Sequence, residues 1–272
     1  MPPVVSELHI YPIKSCRGLR LPTADVEERG FRFDRRWMVA DESGLFLSQR
    51  KIPAMALIEV ALGSGHLTVS APGMDRLAIP LEPDPRTPVR TTIWGDVVHA
   101  QPYGDETNMW FSAFLGLPCR LVRFPDHVRR NVDTRYAKQG EHTAFSDAYP
   151  FLAISEASLA DLNSRLAHAL PMNRFRPNIV LAGCEAFAED TWRSFRIGAV
   201  TFRATKPCAR CRITTVDQLT GIPGDEPLRT LSQYRSRGSS VIFGQNLLHS
   251  GSGSVSVGDT VHILDQGNAN GN

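Results

Sequence analysis

Glycine and proline cut the first hundred residues into short runs of β-branched and aromatic side chains. That punctuation limits this end of the chain to a barrel or a sandwich. The spacing predicts strands over residues 4 to 12 (VVSELHIYP), 36 to 40 (RWMVA), 45 to 49 (LFLSQ), 55 to 60 (MALIEV), 66 to 71 (HLTVSA), 77 to 81 and 88 to 100, with Pro12, Gly44, Gly63 and Gly65 as punctuation. The strand-rich part ends near residue 102, which sets an expected boundary between segments 1–102 and 103–266.

Beyond it the pattern changes. Residues 107 to 115 (TNMWFSAFL) predict a helix with Asp105 or Thr107 as cap and Gly116 as stop. Residues 119 to 124 read as a strand. Residues 125 to 148 are polar, irregular and rich in arginine, a pattern that is often functional or mobile. From 156 to 170, Leu159, Leu162, Leu166 and Leu170 form one apolar helical stripe behind the cap Ser155. Strands are expected at 179 to 183 (IVLAG), 196 to 204 and 212 to 217, a hairpin at 254 to 264 around Gly258 and Asp259, and a disordered tail over 267–272. The fold class expected is mixed α/β and β-rich.

The 272 residues carry 42% hydrophobic side chains, enough to bury a sizeable core. A net charge of +2 is too mild to point to nucleic acid or an anionic membrane. No run of 18 apolar residues and no signal-peptide pattern is present, so the expected location is cytoplasmic, with no membrane partner. Five scattered cysteines do not make a disulfide framework.

The sharpest local feature is Cys208-Ala-Arg-Cys211 in TKPCARCRITTVD. It admits half a zinc site, a thioredoxin-like redox pair, or a single ligating thiolate in a cationic setting made by Lys206, Arg210 and Arg212. Two buried, inert cysteines are the plain alternative. Tyr11-Pro12-Ile13-Lys14-Ser15-Cys16-Arg17-Gly18 sets a lysine, a hydroxyl and a glycine in a turn after a strand. Such a turn can bind an anion or be no more than a solvated turn. Asp34-Arg35-Arg36-Trp37 and Phe175-Arg176-Pro177-Asn178 add arginines able to grip a phosphate and an asparagine able to pair with a heterocycle edge.

The runs YPIKSCRG, DRRWMV, LSQRKIPAMALI, FRPNIVL, PCARCRITTVD and FGQN occur in an order that resembles the MOSC family, over roughly Ser6 to Leu264. The likeness is to the branch with an N-terminal MOSC β-barrel domain, which includes the mitochondrial amidoxime reducing component and its bacterial counterparts. The resemblance implies an N-terminal MOSC β-barrel-like domain over 1–102 and a MOSC-type β-barrel with a few helices over 103–266. It implies a molybdenum cofactor (Mo-molybdopterin) with Cys211 as metal ligand and Cys208 in support. Cofactor contacts are implied for Lys14, Ser15, Arg35, Ser146, Asp147, Tyr149, Arg176, Asn178, Ala209, Arg210 and Asn246, and Asp147 is the candidate proton donor.

The implied reaction is reduction of N-hydroxylated compounds: amidoximes, hydroxylamines and N-hydroxylated bases. No cysteine follows Cys211, so no iron–sulfur cluster is expected there. The electrons are expected from a separate ferredoxin-, flavodoxin- or cytochrome-type system. The basic loop around Arg129, Arg130, Arg135 and Lys138 is a candidate dock for an acidic carrier, or a plain solvated loop. A different class of function, carriage of the cofactor or of sulfur for it, stays open beside the reductase.

Overall fold

The computed structural model describes residues 2–267. The expected tail therefore lies outside the described residues except for Gly267, whose N–H donates to Thr191 O at 2.7 Å.

Among the described residues, nine strands make one large sheet. Its order is Leu19–Leu21, Val4–Ile10, Ile179–Ala182, Phe151–Ser155, Ser240–Ser250, Val200–Ala209, Trp192–Ile197 and Val261–Gln266, with Ser236–Arg237 paired to Ser240–Ser250. The pair Phe151–Ser155 and Ile179–Ala182 is parallel. Parallel neighbours need a crossover, and the connection includes the helix Glu156–Asn163. Val5, Leu8, Ile10, Phe151, Phe195 and Phe202 bury into one core on this sheet. The first two strands of the chain are thus hydrogen-bonded into a sheet otherwise built by the second half.

A second core belongs to the earlier segment. Trp37–Asp41, Cys119–Arg123, Asp96–Pro102 and Val89–Ile93 form a four-stranded antiparallel sheet. Glu59–Leu62, His66–Ser70 and Leu77–Pro80 form a meander beside it. The helix Asp105–Leu115 buries Trp110, Phe111 and Leu115 against Trp37, Ile58, Leu67 and Leu121. Gly116 closes that helix at φ +72°, as its sequence position requires, but the N-cap is Gly104 rather than Asp105 or Thr107.

Other local expectations give way to longer-range contacts. Residues 45–49 bridge their neighbours without forming a strand, and Pro53 starts a 3-10 turn, Pro53–Leu57, before the strand Glu59–Leu62. Ser155 caps the next helix by accepting from Ser158 N, but that helix stops at Asn163 rather than running to 170. The Asn163 side chain bonds both the N–H and the carbonyl of Leu170, which folds the leucine stripe back on itself. Residues 212–215 form a 3-10 turn instead of a strand. Gly253–Ser256 and Val261–Gln266 are not a hairpin: the first pairs with Thr23–Glu27 and the second with Trp192–Ile197. The turn at Gly258 carries the chain from one sheet to the other.

Candidate active site

A cleft is lined by residues from both halves of the chain. Strand Val200–Ala209 reaches it with an irregular register on either side of Pro207, whose missing N–H breaks the ladder opposite Gln245. Beyond it, Cys211 stands at the head of the 3-10 turn Arg212–Thr215. The opposite wall comes from the turns after Val4–Ile10 and before Trp37–Asp41. All twelve residues expected at the site line this one cleft: Lys14, Ser15, Arg35, Ser146, Asp147, Tyr149, Arg176, Asn178, Ala209, Arg210, Cys211 and Asn246.

Two glycines show how tightly the cleft is backed. A Cβ on Gly18 would stand 2.4 Å from the Tyr11 ring. Gly244, at φ +80°, has no room for one beside Ala153 O and Ile154. Three non-glycine lining residues hold left-handed backbones: Ser15 (φ 66°), Arg35 (φ 48°) and Arg176 (φ 55°). Such strain persists only where surrounding contacts fix it, and it clusters at functional sites.

The charge is lopsided. Lys14, Arg35, Arg50, Arg176 and Arg210 line the cleft against Asp147 as the one carboxylate among its described residues. Three of these five cations have hydrogen-bonded internal partners. Lys14 Nζ bonds Phe145 O at 2.9 Å and pairs with Asp147. Arg35 bonds Asp34 Oδ2 at 2.5 Å and Asn178 Oδ1 at 3.0 Å. Arg210 bonds Phe175 O at 2.6 Å and Cys208 Sγ at 3.0 Å. Arg50 lies over the Trp94 ring.

Arg176, like Arg50, makes no hydrogen bond and no ion pair among the described residues, but it is buried: 9% exposed and stacked 4.2 Å from the Tyr11 ring centroid, with the Asp34 carboxylate near enough to favour its charge. Burial lowers it to about 10, with Tyr11 opposing, so it stays charged at neutral pH.

Burial acts to raise the Asp147 carboxyl. The Lys14 ammonium outweighs it, helped by Arg35 and Trp94, and holds the group well below the usual carboxylate range. The side chain is 60% exposed at the mouth, so this direction rests on the direct contact with Lys14 more than on any burial. An ionised Asp147 anchors Lys14. In this state it must take up a proton before it can donate one.

Asn178 is 1% exposed, and its amide is engaged internally: Oδ1 accepts from Arg35 and from Leu152 N, and Nδ2 donates to His9 O. It holds Arg35 and the meeting of three strands. Asn246 donates to Lys206 O.

Both cysteines of the pair line the cleft, but Arg210 engages Cys208, whereas Cys211 Sγ takes no hydrogen bond among the described residues. All five cysteines are free. Cys16 is fully buried, and burial pushes its thiol up to about 12. No three His, Cys, Asp or Glu side chains group as a metal cage among the described residues, which leaves the zinc reading of the pair without further ligands.

In the basic loop Arg129, Arg135 and Lys138 stay exposed, and only Arg130 is drawn inward. Arg130 is buried, donates to Ala144 O, Ser146 O and Asp147 O, and pairs with Asp96 at 2.7 Å. Arg135 pairs with Asp133. Nothing in the local pattern marks Arg130 as the brace of the cleft loop, nor Phe46 and Arg50 as part of the lining.

Two family descriptions match the chain: the MOSC N-terminal beta barrel domain over residues 3–118 and the MOSC domain over residues 140–262. The chain is a MOSC-family protein. Among its relatives, the MOSC protein is 38% identical to mitochondrial amidoxime-reducing component 1 of Mus musculus over 96% of this chain and 82% of that one. The Homo sapiens counterpart is 37% identical over 96% and 83%. Mitochondrial amidoxime reducing component 2 of Rattus norvegicus is 37% identical over 96% and 83%. The cleft draws on both matched regions, with Lys14, Ser15, Arg35 and Arg50 from the first and Arg176, Arg210 and Cys211 from the second. No described helix is long and apolar enough to cross a membrane.

Proposed function

We propose that the cleft binds a molybdenum-pterin cofactor through Cys211 and reduces N-hydroxylated compounds, with electrons from a separate ferredoxin-, flavodoxin- or cytochrome-type protein. The observation that carries this reading is Arg176: a largely buried guanidinium, stacked on Tyr11 but with no hydrogen bond or ion pair among the described residues, in a cationic cleft that also holds a free thiol. A buried charge without an ion pair is costly, and an anionic ligand supplies the missing partner. The donor set fits a pterin bearing a phosphate, and a thiolate is a soft ligand suited to its metal.

In this reading Arg176, Lys14, Ser15 and Arg35 take the anionic part of the cofactor. Asn178 acts through Arg35. Ser146, Tyr149, Ala209, Arg210 and Asn246 wall the ring system, and Cys211 ligates the metal. When bound, the cofactor supplies the two-electron reduction. Reducing an N–OH group to N–H releases water and consumes two protons. The ionised Asp147 can return a proton to the cleft only after taking one from solvent, so its part is to accept and hand on at the mouth. The relatives named for amidoxime reduction support the substrate class.

The test is turnover of benzamidoxime by cofactor-loaded protein with an artificial reductant, with benzamidine measured as product. Molybdenum retained without turnover would turn the reading toward a carrier.

A further inference from the structure

A hairpin of the earlier segment stands beside the cleft, its tip touching three of the lining residues. The hairpin of Val89–Ile93 and Asp96–Pro102 turns through Trp94 and Gly95. Trp94 sits there at φ +57°, a backbone that a bulky side chain adopts only when its surroundings hold it. Its indole Nε1 donates to Asp147 Oδ1 at 3.2 Å. The Arg50 guanidinium lies 4.2 Å from its ring centroid, and the Phe46 ring lies 5.1 Å away, tilted by 52°. Phe46, Arg50 and Asp147 all line the cleft.

Two residues further on, Asp96 receives Arg130, the same side chain that holds the carbonyls of Ser146 and Asp147. The hairpin tip and the cleft loop are therefore tied at two points. Trp94 nevertheless stays 44% exposed, whereas Trp37, Trp110 and Trp192 are buried. Its edge is oriented by a hydrogen bond and a guanidinium stacks on it, yet much of the ring faces solvent.

A substrate whose N–OH group points to Cys211 leaves its organic remainder toward the mouth. An oriented, half-exposed indole offers that remainder a π surface, and flat aromatic groups stack on such surfaces. We infer that Trp94, supported by Phe46 and Arg50, is a stacking shelf that selects N-hydroxylated substrates bearing a planar aromatic or heteroaromatic group. The inference rests on the reductase reading and adds its substrate class. A shelf that grips the bound substrate and the transition state alike acts on KM and leaves kcat in place.

The test compares benzamidoxime with acetamidoxime, which share the reacting head and differ in the ring, using loaded protein and an artificial reductant. Trp94→Leu is expected to raise KM for benzamidoxime about three- to tenfold, the range set by aromatic pairing. Acetamidoxime should change little, and it also reports any disturbance of Asp147. A second readout needs no turnover: benzamidoxime should quench tryptophan fluorescence saturably in the wild type and not in Trp94→Leu, with Trp94→Tyr restoring the low KM.

An unchanged benzamidoxime KM, an equal loss for both substrates, or a quench that survives in Trp94→Leu overturns the shelf. So does a defect seen only when a protein donor drives turnover, which would make Trp94 a docking anchor. Wild-type protein that turns over neither substrate sinks the reductase reading itself, and the shelf with it.

Discussion

Arg176 carries a consequence that runs against intuition: removing it should stabilise the cofactor-free protein. A fall from 12.5 to about 10 corresponds to about 3 kcal/mol held against the charged form. Stacking on Tyr11 returns some of that, roughly 1–2 kcal/mol for a desolvated cation. Methionine fills a similar length, keeps a sulfur against the ring and leaves the φ +55° backbone no more strained than before. Arg176→Met is therefore expected to gain about 1–2 kcal/mol when no cofactor is present, and each kcal/mol is worth roughly 2–4 °C in Tm.

The assay is a thermal melt of wild type and variant from a host that makes no pterin cofactor, followed by cofactor content after expression in one that does. The sign should reverse between the two, with the variant more stable when empty and poorly loaded when the cofactor is available. A cofactor-free variant less stable by more than about 1 kcal/mol would show that Arg176 has an internal partner that compensates its charge. Full loading of the variant would remove Arg176 from the ligand set.

Three further outcomes follow from the same contacts. Cys211→Ser should abolish turnover while Cys208→Ser keeps part of it, because Arg210 engages Cys208 and Cys211 borders the cleft unbonded; equal loss in two folded variants would undo that assignment. Arg130→Met strips two buried carbonyls and one partly buried carbonyl of their donor, while Asp96, half exposed, rehydrates, so urea denaturation should show a loss of about 2–4 kcal/mol that Arg130→Lys recovers in part; a loss below about 1 kcal/mol would contradict the brace. Burial raises the Glu189 carboxyl above 4.5, against the hydrogen bonds from Ser158 and Ser155, so its favourable contribution is full at low pH and is lost as pH rises through the raised value. Glu189→Gln should therefore gain on wild type in Tm from pH 5 to pH 8, and a pH-independent difference would reject the argument.

The fold class was legible in the spacing of short strands, whereas the runs that carry Lys14, Ser15, Arg35, Arg176, Asn178 and Cys211 were each ambiguous alone, and it was their order, through the family resemblance, that joined them into one expected site. The cleft gathers those runs without needing their surroundings to be known. Signals confined to one turn also read correctly, as Ser155 and Gly116 show. What escaped depends on specific side-chain and strand partners that periodicity does not encode. The leucine stripe from 159 to 170 has helical spacing, but the Asn163 side chain competes for Leu170 and ends the helix. The run 254–264 has the alternation of a hairpin, yet its halves find older neighbours in Thr23–Glu27 and Trp192–Ile197. Arg130 reads as one more charge in a polar loop until Ala144, Ser146 and Asp147 turn their carbonyls to it. Asn178 looks like a ligand for a heterocycle, and in the fold its amide is taken up by Arg35, Leu152 and His9.

The central claim is that Cys211 holds a molybdenum cofactor in this cleft, and the most direct measurement is molybdenum per chain by elemental analysis. Wild type and Cys211→Ala would be expressed in a host that makes the cofactor and purified side by side. The account expects close to one metal per wild-type chain and a sharp fall in the variant. Wild-type protein without molybdenum from a competent host, or a Cys211→Ala variant that keeps its metal, would contradict it.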